Sequence, residues 1–120
     1  MTAETRRLVV AVVDDLMFLS RIREAAKHQG VEVRAVRTAA DAAAACREGA
    51  RTMIVDLDTP RLPALDSVAA VAGDPALRGV RVIGFYSHVD QARARAAEAA
   101  GCHTVLPRSA FVRQLHDLLS

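Results

Sequence analysis

The run LVVAVV, Leu8 to Val13, constrains the fold more than any other segment. It is apolar at every position and rich in β-branched valine. A strand with one wet face alternates apolar and polar residues; a strand apolar throughout is covered on both faces. TMIVDL, Thr52 to Leu57, reads the same way. A sheet with such strands in its middle needs layers above and below it, and the intervening segments have the spacing of helices.

The first of these, LMFLSRIREAAKHQ, carries Phe18, Leu19, Ile22, Ala25 and Ala26 at helical intervals and ends at Gly30, a C-terminal cap. VEVRAV, Val31 to Val36, alternates apolar and polar, as an edge strand does. Thr38 and Asp41 resemble a capping box at the head of AADAAAACRE, which Gly49 closes. Pro60 and Pro63 interrupt the chain before ALDSVAAVA, and Gly73-Asp74-Pro75 marks a turn. VRVIGFY, Val80 to Tyr86, is the fourth strand. Ser87 and Asp90 open a helix with Val89, Ala92, Ala96 and Ala99 on one side, and Gly101 ends it. HTVL, His103 to Leu106, is a short fifth strand. A last helix starts near Ser109 and should bury Phe111, Leu115 and Leu118.

The order is βαβαβαβαβα, which implies an α/β fold: a parallel sheet with helices on both faces, a three-layer sandwich. The two more polar strands, the second and fifth, are edges in the doubly wound, flavodoxin-like order 2-1-3-4-5. One domain over residues 1–120 is expected. With only 3 % aromatic residues and no Trp, its core is built from Val, Leu, Ile and Ala. Sixteen basic against fourteen acidic residues give a net charge of +2, with no concentrated basic face of the kind nucleic-acid binding needs. The cysteines, Cys46 and Cys102, are far apart and form no CxxC pair, so reduced thiols are expected. No apolar run approaches the ~20 residues needed to span a bilayer. The expectation is a cytoplasmic protein that touches neither membrane nor nucleic acid.

In an open parallel sheet, ligands bind beyond the carboxyl ends of the strands. Asp14 and Asp15 follow the first strand and Asp56 ends the third. These strands are neighbours in the proposed order, so three carboxylates are expected to converge. Two like charges ~4 Å apart repel by roughly 4 kcal/mol at an effective dielectric of 20. A divalent cation, a protonated carboxyl or a basic side chain must offset this. Hard oxygen ligands suit Mg²⁺.

VVDDL together with VDLDTP, in which Asp56 lies four residues before Pro60, resembles the acidic pair and phosphoacceptor motif of the receiver domains of bacterial response regulators, and the resemblance covers essentially the whole chain. It implies Asp56 as phosphoacceptor. It implies Mg²⁺ held by Asp14, Asp15, Asp56 and the backbone carbonyl of Asp58. Ser87 falls at the hydroxyl position that senses the phosphoryl group. Arg108 stands where the family has a lysine and Ser109 where it has a proline; if Pro107 is aligned with that proline instead, Leu106 takes the lysine's place. Arg is no simple substitute for an ammonium. His88 replaces a small residue, Val105 an aromatic one, and Ala64 a glycine.

Plainer roles stand beside these. Asp14 and Asp15 could cap the first helix, and Ser87 the fourth. Asp58 reads as a solvated neighbour, as does the face bearing Arg93, Arg95 and Glu98. Arg108 is either a permanent counter-ion of Asp56 or a phosphate ligand. The resemblance implies a stand-alone signalling module in two-component signal transduction, not an enzyme, whose output is binding to a protein partner, a histidine kinase or another signalling protein. A homodimer is one candidate, with Arg95 and Arg113 on the partner surface. Two mechanisms remain open: phosphorylation of Asp56 with Mg²⁺, or a pseudo-receiver that signals without it. A small flavodoxin-like enzyme or cofactor binder is a third reading, but no Gly-rich phosphate loop follows the first strand.

Overall fold

The computed structural model describes residues 7–87 and 91–120. Five strands alternate with five helices: β1 (Arg7–Val12), α1 (Leu16–Lys27), β2 (Val31–Ala35), α2 (Ala39–Arg47), β3 (Thr52–Asp56), α3 (Ala64–Ala72), β4 (Arg81–Tyr86), α4 (Gln91–Ala100), β5 (Thr104–Pro107) and α5 (Arg108–Leu119). All strand pairs are parallel, and the sheet order is β2-β1-β3-β4-β5. This is the flavodoxin-like order that the strand polarity implied. The central strands β1 and β3 are buried almost throughout, whereas β2 and β5 are only partly covered.

Alternate residues of each strand feed two separate cores. Val10, Val12, Met53, Val55 and Val82 pack under α2, α3 and α4. Val9, Ala11, Ile54, Ile83 and Phe85 pack under α1 and α5, where Phe18, Ile22, Phe111 and Leu115 meet them. The chain's three phenylalanines all lie on this second side. Phe85 sits 4.8 Å, centroid to centroid, from both Phe18 and Phe111. Aromatic pairs at such spacing add roughly 0.5–1.5 kcal/mol beyond area burial. They form a stiff floor beneath the carboxyl end of the sheet.

The helix starts follow local chemistry. Asp15 caps α1 by accepting from the Phe18 N–H at 3.1 Å. Thr38 caps α2 by accepting from the Asp41 N–H at 3.0 Å. Phe111, Leu115 and Leu118 of α5 are buried, as their spacing required. In α4 the expected face is corrected. Ala97 is the buried residue of this helix, and Ala92, Ala96 and Ala99 are exposed. A helix made mostly of alanine has small side chains on every side, so periodicity does not select the face that packs. Val89 and Asp90, expected at its start, lie outside the described residues. Among the described residues no helix is long and apolar enough to cross a membrane.

Candidate functional site

Parallel strands deliver the chain to the same end of the sheet each time. Asp14 and Asp15 follow β1, Arg37 follows β2, Asp56 closes β3, Ser87 follows β4 and Arg108 opens α5 just after β5. The register of β3 on β4 sets Asp56 opposite Phe85, and the Leu57 N–H donates to the Phe85 carbonyl at 2.9 Å. Asp56 is therefore anchored at the topological switch point, where ligand sites of such sheets lie.

Asp56 is only 5 % exposed. One oxygen accepts from the Asp58 N–H at 2.9 Å. The other lies 3.8 Å from Nη2 of Arg108. Burial raises the Asp56 carboxyl above its ordinary range. The Asp58 N–H and the Arg108 charge oppose that rise, and the Asp58 and Asp15 carboxylates add to it.

Arg108 also reaches Asp15, Nη1 to Oδ2 at 3.6 Å. One guanidinium thus lies between two of the expected site carboxylates, in ion pairs rather than short hydrogen bonds. Its central carbon stands 4.3 Å above the Phe18 ring centroid and 5.5 Å from that of Phe85. The cation is held from below by the aromatic floor. Its Nε–H is buried without a partner among the described residues. Arg108 thus faces both carboxylates from the first residue of α5.

Asp14 does not join Asp15 and Asp56. Its Oδ1 pairs with Arg37 at 3.1 Å and its Oδ2 with Arg61 at 3.4 Å. Asp14 is thus balanced by Arg37 and Arg61, while Asp15 and Asp56 share Arg108. Among the described residues no three His, Cys, Asp or Glu side chains form a group that could hold a metal ion. The physical reason is charge: Arg37, Arg61 and Arg108 already balance Asp14, Asp15 and Asp56. Mg²⁺ requires near-octahedral oxygen ligation, and this arrangement presents oxygens that face guanidinium groups. A divalent cation at these oxygens would have to displace the paired guanidinium groups.

Asp58 is no solvated neighbour. Its Oδ2 accepts from both the N–H and the hydroxyl of Ser87, the latter at 2.8 Å. Its Oδ1 pairs with Arg93 of α4 at 3.3 Å. The same Arg93 nitrogen donates to the Leu57 carbonyl at 3.2 Å. The Ser87 side chain is thus bonded to Asp58. His88, which follows it, lies outside the described residues.

Arg95 is exposed on α4, on one face of the sheet, whereas Arg113 lines a groove between α1 and α5 on the other. The two do not form a patch of neighbouring arginines on a shared helix pair. The sequence reading overlooked Arg37, Arg61, Arg93 and the Asp58 side chain. The topology held a signal for two of them: Arg37 follows β2 and Arg61 follows β3, so both stand at the end of the sheet where the acidic residues lie.

Among solved structures, the chain is similar to the phosphorylated cyanobacterial phytochrome response regulator RcpA, at 19 % identity over 96 % of this chain and 89 % of that one, with a TM-score of 0.75. It is similar to a response regulator protein from Burkholderia pseudomallei bearing a phosphorylated aspartic acid, a calcium ion and citrate, at 19 % identity over 95 % of this chain and 66 % of that one, with a TM-score of 0.76. It is also similar to a CheY-like response regulator receiver domain protein from Methanospirillum hungatei, at 18 % identity over 94 % of this chain and 90 % of that one, with a TM-score of 0.76. No family model and no curated protein matches the sequence. Likeness of this kind establishes the fold.

Proposed function

We propose that this chain, which has the fold of a response regulator receiver domain, works as a pseudo-receiver: an interaction module that binds a protein partner without being phosphorylated at Asp56. The observation that carries this reading is Arg108 lying between Asp15 and Asp56 on the ring of Phe18. An aspartate attacks a phosphodonor through a free carboxylate oxygen, helped by a cation that neutralises the incoming oxygens. Here one Asp56 oxygen accepts from a backbone N–H and the other faces Arg108. Arg37 and Arg61 neutralise Asp14 as well. A metal would have to displace guanidinium groups that are already paired.

The described side chains build no nucleophile–base pair aimed into a cavity, and the reading is of a binding module rather than an enzyme. The resemblance supports a signalling protein as the partner, and a second copy of the chain is one such partner.

The test is incubation of the wild-type protein with Mg²⁺ and a small phosphodonor, followed by intact-mass and peptide analysis. The expected result is no acyl phosphate on Asp56. Rapid labelling of Asp56 would sink the reading and make the chain a phosphorylated receiver with arginine in the basic position.

A further inference from the structure

The two edges of the sheet differ in what they offer a further strand. β5 is four residues long and ends in Pro107, which has no N–H to give. β2 runs for five residues, Val31–Ala35, without a proline and pairs only with β1. The Val36 N–H donates to the Ala11 carbonyl at 3.0 Å. Backbone groups alternate in direction along a strand. Glu32 and Arg34 therefore turn theirs toward β1, and Val33 and Ala35 present N–H and C=O outward. Among the described residues no strand lies beyond them.

The side chains of β2 divide between two faces of opposite charge. Glu32 and Arg34 lie on the α2 side, where Arg34 pairs with Glu32 at 3.5 Å and with Glu48 at 2.8 Å. Charges on an edge strand ordinarily repel a further strand. Here they are paired with one another, and two carboxylates to one guanidinium leave that side net negative. Val31 and Val33 face α1 instead, the first buried and the second half-buried. A groove of about 320 Å³ runs beside them, lined by Arg23, Lys27, Gly30, Val31 and Val33. Arg23 and Lys27 stand one turn apart on α1. Both are exposed, and neither has an ion-pair partner among the described residues. Glu24 pairs with His28 and lines the groove on the α5 side of the helix. The α1 side of the edge is therefore net positive.

We propose that the outer edge of β2 takes an added strand from a protein partner, an extended segment with acidic and apolar residues toward α1 and basic residues toward α2. Main-chain bonds to Val33 and Ala35 supply affinity, and alternate side chains read the two faces. The inference rests on the reading of the chain as an interaction module and deepens it by naming the surface and the partner's chemistry. A second copy of the chain fits less well. A two-fold axis normal to the sheet pairs β2 with its twin antiparallel and keeps both α1 helices on one side. Arg23 and Lys27 would then face the same cations across the join.

The probe is the peptide acetyl-Thr-Glu-Lys-Val-Lys-Glu-Thr-amide, whose valine and glutamates alternate with lysine and threonine. It is titrated into the full chain at constant ionic strength, and amide NMR shifts and hydrogen exchange are followed. Saturable shifts along β2 are expected, with exchange of the Val33 and Ala35 amides slowed at least about tenfold. Arg23→Glu combined with Lys27→Glu should weaken binding at least about tenfold. Arg78→Glu, exposed in the turn before β4, should leave it unchanged. A peptide with lysine for both glutamates should bind at least about tenfold more weakly. One with proline for the valine and an adjoining lysine should not bind, because it lacks a donor on either edge.

No protection of Val33 and Ala35 at millimolar peptide overturns the proposal. Equal binding by the proline peptide, or an affinity that survives the Arg23 and Lys27 double variant, does the same. Protection of these amides that grows with protein concentration, without peptide, assigns the edge to a second copy and overturns the partner strand. The two readings fail separately. Labelling of wild-type Asp56 overturns the phosphorylation-independent module and leaves the exchange at Val33 and Ala35 to be read as before, while an unprotected β2 edge overturns only the added strand.

Discussion

At the scale of single residues, the site is a contest between burial and pairing. Asp56 is almost fully covered, and the cost of desolvating its charge outweighs the help it receives from the Asp58 N–H and Arg108. Its carboxyl titrates higher in the fold than in the unfolded chain. The native state therefore binds the proton more readily, and stability falls as pH rises from the ordinary carboxyl value through the raised folded value. Asp56→Asn, neutral at every pH, should be more stable than wild type at pH 7. The gain should shrink below about pH 4, where both forms are uncharged. Urea unfolding at pH 7 and at pH 3.5 measures both; a variant less stable than wild type at pH 7 would show that the Arg108 pair contributes more than the burial costs. Asp58 makes a different point. A side chain read as solvated became the acceptor for Ser87 and Arg93 because the β3 and β4 ends are adjacent in the sheet, and adjacency of strands is not a property of a local stretch of sequence.

At the scale of elements, the helix ends were the most legible features. Thr38 caps α2 and Asp15 caps α1, each accepting from the backbone N–H three residues on. Glycine stops α4 for two reasons. Gly101 has φ of +123°, and a Cβ there would come 2.3 Å from the Cβ of Ala72 at the end of α3. Gly49, after α2, has φ of +114° but open space around it. Gly49→Ala meets backbone strain alone and should cost about 1 kcal/mol, whereas Gly101→Ala adds a clash between α3 and α4 and should cost about 2–4 kcal/mol. Equilibrium unfolding of the two variants checks the order; equal losses would mean that the α3–α4 approach yields easily. The face of α4 was not legible, because alanine on every side gives no apolar stripe. What orients that helix is packing at Ala97 and the reach of Arg93 to Leu57 and Asp58.

At the scale of the whole molecule, the sheet separates two cores, and both cysteines report on the same one. Cys46 of α2 and Cys102 at the entry to β5 lie in the core beneath α2, α3 and α4. Burial pushes each thiol from 9.0 to about 11. A rise of two pH units leaves roughly a hundredfold less thiolate at pH 8, before steric protection is added. Alkylation at pH 8 should therefore run at least about a hundredfold slower in the native protein than in urea. Both sites should become reactive in one transition if this core opens as a unit. Cys102 reacting alone at low urea would show that the β5 edge opens before the centre of the sheet.

The sequence by itself determined the order of elements, the burial of β1 and β3, the exposure of the edge strands and the end of the sheet at which Asp14, Asp15, Asp56, Ser87 and Arg108 gather. Each follows from periodicity or from the topology of parallel strands, which repeats the same geometry at every crossover. Only the tertiary structure decided how those charges are shared. Asp14 turns to Arg37 and Arg61, Arg108 lies between Asp15 and Asp56, and Asp58 takes Ser87 and Arg93. A long arginine side chain can reach several acidic partners from one position. Which partner it meets depends on strand register, on helix rotation and on the aromatic floor that holds Arg108 in place, and none of these is encoded in a local pattern of residues.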